Sequence, residues 1–92
     1  MKYGVRPTTK FKKDFKKVER QGRDLGKLRV VIEKLANGEK LDERYRDHAL
    51  TGDFSDCREC HIAPDWLLIY KVEETSVILV LMRTGSHSDL FG

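Results

Sequence analysis

The chain has three histidines, His48, His61 and His87, all in its C-terminal half. Asp65 follows His61 by four residues, and Arg83 precedes His87 by four. Imidazole titrates near neutral pH. It can take a proton from a ribose 2′-hydroxyl or give one to a leaving 5′-oxygen. A guanidinium offers a fixed fork to a phosphate and stabilises charge growing on its oxygens. The five side chains therefore form a coherent set for phosphodiester chemistry, if folding gathers them. Phe91 or Trp66 could stack on a base. Each residue also has a plainer reading. A surface histidine can be merely polar, and Asp65 after Pro64 suits a turn. Trp66 beside Tyr70 can fill the core, and Arg83 can close a strand-end salt bridge.

The stretch Cys57-Arg58-Glu59-Cys60-His61 matches C-x-x-C-H, the attachment pattern of c-type haem. Residues 57–62 read as a strand, however. Side chains then alternate, so Cys57 and Cys60 point to opposite faces while Cys57, Glu59 and His61 share one. No second C-x-x-C is present to complete a zinc site. The expectation is no cofactor, no metal and no structural disulfide. The longest apolar run, Val77 to Met82, is too short to cross a bilayer. The N-terminal stretch has no apolar core of a signal peptide. No membrane association is expected, and a cytoplasmic location is the reading that follows.

The elements that must position these residues can be read from periodicity. Tyr3 and Val5 alternate with polar neighbours up to Pro7, as in a short strand. Thr8 or Thr9 can cap a helix whose Phe11, Phe15 and Val18 fall on one stripe and whose outer face is cationic. That helix stops near Gly22. Asp24 can cap a second, with Leu28, Val31, Ile32 and Leu35 inward and Asn37-Gly38 at its end. Residues 39–55 are polar and weakly periodic, and read mostly as loop. Three strands follow, over residues 57–62, 66–72 and 76–83, joined by short turns that force an antiparallel meander. The tail from Thr84 reads as irregular. The fold class is α+β in the order β-α-α-β-β-β. One domain spans residues 1–92, with a helical hairpin on one face of a twisted, mostly antiparallel sheet. The other face is left partly open for a ligand. In the last strand Val77, Leu79, Leu81 and Arg83 share a face, although sequence does not fix the register.

The net charge of +3 conceals an asymmetry. Residues 1–40 carry thirteen Lys or Arg against five Asp or Glu, a net of +8, whereas residues 41–92 carry five against ten, a net of −5. A basic half of this kind suits a polyanion such as RNA, or an acidic protein partner.

The segments DHAL, CRECHIAPDWLLIY and RTGSHSDLFG, in this order and spacing, resemble the signature segments of the RelE superfamily toxins, in particular the YafQ-type mRNA interferases. The resemblance runs over essentially the whole chain and is strongest from residue 47 onward. It implies the toxin of a type II toxin–antitoxin pair, a ribosome-dependent endoribonuclease that cuts mRNA in the A site without a metal. The 2′-hydroxyl would attack the adjacent phosphate. Carried onto this chain, the family site is His48, His61, Asp65, Arg83, His87 and Phe91. His87 leads the acid–base work, His61 with Asp65 assists proton transfer, Arg83 holds the phosphate and Phe91 orients the base. The implied partners are a cognate antitoxin, mRNA and ribosomal RNA. Two other classes compete: a toxin of the same fold acting on a protein such as DNA gyrase, and an inactive nucleic-acid- or antitoxin-binding module.

Overall fold

A computed structural model describes residues 1–92. The chain begins with β1 (Gly4–Pro7), followed by helices α1 (Thr9–Arg20) and α2 (Leu25–Ala36). A polar connection with two short 3₁₀ turns frames a two-residue strand, β2 (His48–Ala49). The meander is β3 (Arg58–Ala63), β4 (Trp66–Glu73) and β5 (Ile78–Gly85), and a final short helix, α3 (His87–Phe91), closes the chain. The sheet order is β1-β5-β4-β3-β2. β1 lies parallel to β5 and every other pair is antiparallel.

Each helix starts where a side chain satisfies a free backbone N–H. Thr8 Oγ1 accepts from Phe11 N at 3.0 Å and donates to Met82 O at 2.9 Å, so the cap of α1 is also a tie to β5. Asp24 caps α2 by accepting from Gly26 N at 3.0 Å. Phe11 and Val18 of α1 and Leu28, Val31 and Leu35 of α2 are buried. They pack on the sheet face formed by Cys60, Ile62, Trp66, Leu68, Tyr70, Leu79 and Leu81, which makes the main core. The opposite face has a much smaller apolar cluster: Cys57, Leu67, Ile69 and Leu90, edged by Leu50, Phe54 and Met82. Alternation along β3 and β4 thus sorts the sheet into a helix-covered side and a side largely left for other uses.

Two elements were not anticipated. β2 pairs His48 with Glu59 and Ala49 with Arg58. The tail is not irregular but helical, and its start is a reciprocal cap. Ser86 Oγ accepts from Asp89 N at 3.2 Å, while Asp89 accepts from Ser86 N at 3.3 Å. Lys17 of α1 reaches the same carboxylate at 2.8 Å. Gly85, with φ +153°, makes the turn possible, since an added Cβ would stand 3.2 Å from Asp89 Cβ.

The bonds from Lys17 and Ser86 hold the Asp89 carboxyl at about 2, below the ordinary value of 3.8. A carboxyl depressed on folding contributes its stability fully above its unfolded value and loses it as pH falls through the folded one. Asp89→Asn should therefore lower stability by about 1 kcal/mol near neutrality, the worth of one cap bond. Half-exposed Lys17 should add little. Urea unfolding at stepped pH should find the gap between wild type and variant closing as pH drops from about 4 to about 2.

Candidate active site

The register of β5 decides where Arg83 points. Tyr70 pairs with Leu81 but Ile69 pairs with Arg83, so Met82 is an extra residue, a β-bulge. Beyond the bulge the side-chain parity is reversed. Leu81 faces the helices, whereas Arg83 lies in one cross-sheet row with Ile69 and Glu59. In the next row on this face stand His61, Leu67 and Gly85. Neighbouring strands are about 4.8 Å apart, so Arg83 and Glu59 start roughly 10 Å apart with one strand between them. The expected sharing of a face by Leu81 and Arg83 does not hold, because the bulge intervenes.

Asp14 of α1 fixes the guanidinium. Its Oδ2 accepts from Arg83 Nε at 2.6 Å and its Oδ1 from Nη2 at 3.1 Å, while Thr84 N donates to Oδ2 at 3.2 Å. The pair is mostly buried, with side chains 23% and 15% exposed. Two nitrogens of the fork are thereby oriented, and Nη1 is left for another anion.

The histidines converge on the same face. The His61 and His87 rings are 5.8 Å apart. His87 Nδ1 lies 3.0 Å from Asp65 Oδ1, and His87 N donates to that oxygen at 3.2 Å. With Nδ1–H assigned to the carboxylate, the neutral ring presents an unprotonated Nε2. These two bonds also hold the Asp65 carboxyl below the usual carboxylate range. His61 Nδ1 is buried with no hydrogen-bond partner. His48 has Nδ1 2.7 Å from Arg46 O and Nε2 3.6 Å from Glu59 Oε1. Its neighbour Asp47 is anchored by Tyr70 Oη at 2.6 Å and Arg58 Nε at 3.0 Å, so the loop carrying His48 is tied to the sheet on both sides.

Measured against the sequence expectations, His48, His61, His87, Asp65 and Arg83 are all placed on or beside one face. Asp65, expected beside His61, bonds His87 instead. The strand pairing shifts between His61 and Ala63, and the turn delivers the carboxylate to the start of α3. Trp66 is corrected as a substrate-stacking residue. It is 1% exposed on the helix-covered face, and its Nε1 donates to Thr84 Oγ1 at 2.9 Å, which leaves no ring face for a base. Phe91 is half-exposed and meets Phe54 edge-to-face at 6.0 Å. Glu59, buried among the imidazoles, and Asp14 were not singled out. Glu59 could have been found from its strand parity with His61. Nothing in the cationic face of α1 marked Asp14.

The two cysteines sit apart, Cys57 in the small cluster and Cys60 in the main core. Burial pushes both thiols up, so neither is a ready thiolate. A different set has ligand geometry: one donor atom each from Glu59, His61 and His87, all within 4.8 Å of one another. Imidazole and carboxylate suit copper or zinc, so these residues fit a small cation.

A family model described as a bacterial toxin of type II toxin–antitoxin systems, YafQ, matches residues 3–92. The chain belongs to the YafQ toxin family. It is 39% identical over 83 residues to the mRNA interferase toxin YafQ of Escherichia coli (strain K12), covering 89% of this chain and 88% of that protein. Among solved structures, a copper-bound mutant toxin from Helicobacter pylori superposes with a TM-score of 0.90 at 43% identity, over 97% of this chain and 99% of the other. The E. coli DinJ–YafQ complex gives 0.89 at 34% identity, over 98% and 99%. This YafQ-family chain shares their α+β architecture, three helices on a mixed five-stranded sheet. No helix in it is long and apolar enough to cross a membrane.

Asp14→Ala should cost about 2 kcal/mol, because it strands a partly buried guanidinium and the Thr84 N–H. Arg83 should then lose its fixed orientation, read as collapse of a distinct Nε–H resonance in the NMR spectrum.

Proposed function

We propose that this chain is the ribosome-dependent mRNA endonuclease of a toxin–antitoxin pair, acting by metal-independent attack of a 2′-hydroxyl on the adjacent phosphate. The observation that carries this reading is the gathering of His61, His87, Glu59 and Arg83 on one open sheet face. Arg83 meets the phosphate through the part of its fork that Asp14 leaves free. His87, steadied by Asp65, is the leading acid–base group, with unprotonated Nε2 as base or imidazolium as acid. His61, 5.8 Å from it, shares the proton traffic. Glu59 Oε1 stands 3.6 Å from His48 Nε2. Phe91 orients the base next to the cut.

A cation bound by Glu59, His61 and His87 would occupy the lone pairs that proton transfer requires. Copper or zinc is therefore expected to inhibit, and a chelator to leave activity intact.

Cations of α2 and of the polar connection after it support two partners. Lys27, Arg44 and Arg46, with Tyr45 and Pro64, line an open hollow of about 630 Å³ that reaches His61. RNA of the ribosome fits its charge, and so does an acidic antitoxin segment that orders on binding. The DinJ–YafQ complex supports the antitoxin.

Induced expression of wild type and His87→Ala tests the reading. Wild type should arrest growth and leave mRNA fragments with 5′-hydroxyl and 2′,3′-cyclic phosphate ends, and the variant should be slower by about 10²–10⁴-fold. Arrest that survives in the variant with intact mRNA and blocked DNA supercoiling would hand the case to a gyrase-directed toxin. Absence of arrest in both would favour an inactive module.

A further inference from the structure

We propose that the hollow between the start of α1 and the bulge of β5 is a nucleotide subsite. Phe54 gives it a stacking face, and Lys10 with Arg83 holds the adjoining phosphate. The proposal deepens the nuclease reading and rests on it for the identity of the ligand. The hollow measures about 310 Å³ and is lined by Thr8, Thr9, Lys10, Phe54, Met82 and Arg83. That is near the lower end of the range for small-molecule sites, about 300–1,000 Å³.

Its chemistry is divided. Two of the lining residues are cations. Arg83 keeps Nη1 free of Asp14, and Lys10 takes part in none of the ion pairs of the fold. Phe54 also lines it, set edge-to-face against half-exposed Phe91 at an interplanar angle of 88°. Rings at right angles offer faces in two directions, so a base on Phe54 need not displace one on Phe91. Thr8 is already committed, accepting from Phe11 N and donating to Met82 O, so its hydroxyl frames the hollow and does not bind within it. Cations beside an aromatic ring are the combination by which single-stranded nucleic acid is held, and stacking tolerates any base. Because Arg83 lines this hollow and also faces the histidine row, a strand bound here places its neighbouring phosphate at the reactive groups. The ligand is the ribonucleotide next to the scissile bond.

Phe54 also closes the small apolar cluster, and a purely packing role must be separated from a binding one. Phe54→Leu keeps apolar volume but removes the ring face, and Phe54→Trp keeps the face. The probe is a short single-stranded RNA carrying 2′-deoxy sugars, which binds but cannot be cut, followed by fluorescence anisotropy. Phe54→Leu should bind about tenfold more weakly with a near-wild-type melting temperature, and Phe54→Trp should restore binding. Lys10→Gln should weaken binding and flatten its log–log salt dependence by about 0.7. Equal binding by wild type, Phe54→Leu and Lys10→Gln would overturn the subsite, as would failure of wild type to bind. Since the probe is uncleavable, these outcomes are independent of cutting. A wild-type chain that binds the probe but never cuts RNA would refute the nuclease reading alone.

Discussion

One extra residue, Met82, governs which face Arg83 joins. Without it, strict alternation would carry Arg83 to the helix side with Leu79 and Leu81, away from every histidine. A bulge breaks the ladder and lasts only where other bonds compensate. Here α1 supplies them. Thr8 holds the Met82 carbonyl, while Asp14 holds both the Arg83 guanidinium and the Thr84 N–H. The same helix reaches α3 through Lys17 and Asp89. A helix that reads from its sequence as a cationic, amphipathic cover is thus also the brace that aims Arg83 and seats the segment bearing His87.

The charges on that face balance by position. Two imidazoles with ring centres 5.8 Å apart would repel if both were protonated. Carboxylates flank them: Asp65 is bonded to His87, and Glu59 lies 3.6 Å from His48 with a donor atom within 4.8 Å of those of His61 and His87. Arg83 has its own carboxylate, Asp14, and does not compete for these two. The result is an assembly in which the imidazoles and the guanidinium have separate carboxylate partners.

What could be read from the sequence follows the range of the signal. Helices of twelve residues with inward stripes, and strands of six or eight with short turns, announce themselves through local period. Cys60 and His61 were correctly assigned to opposite faces because alternation is local too. The bulge was invisible: pairing register is a relation between two strands, and no single strand encodes it. Asp14 was hidden for the same reason, since its partner lies 69 residues away. α3 is too short for periodicity, although Ser86 and Asp89, three apart, carried its cap in plain view. Trp66 was open to two readings because a large ring suits a core or a platform equally. The parity it shares with Leu68 and Tyr70, and the Thr84 acceptor, decide for the core.

The sheet therefore divides labour between its faces. A chain of 92 residues has little apolar area to spare. Placing almost all of it under the helices lets one side supply the stability, while the other keeps Glu59, His61 and Arg83 among few apolar neighbours. This arrangement accounts for the unpartnered His61 Nδ1, a defect that a core optimised only for stability would remove. Local rules tend to be broken where a protein works. In this chain the orphaned imidazole nitrogen, the buried carboxylate Glu59 and the bulge all fall on a single face, and the helix-covered face accommodates its own polar groups, Thr84 and the Trp66 indole, with matched hydrogen bonds.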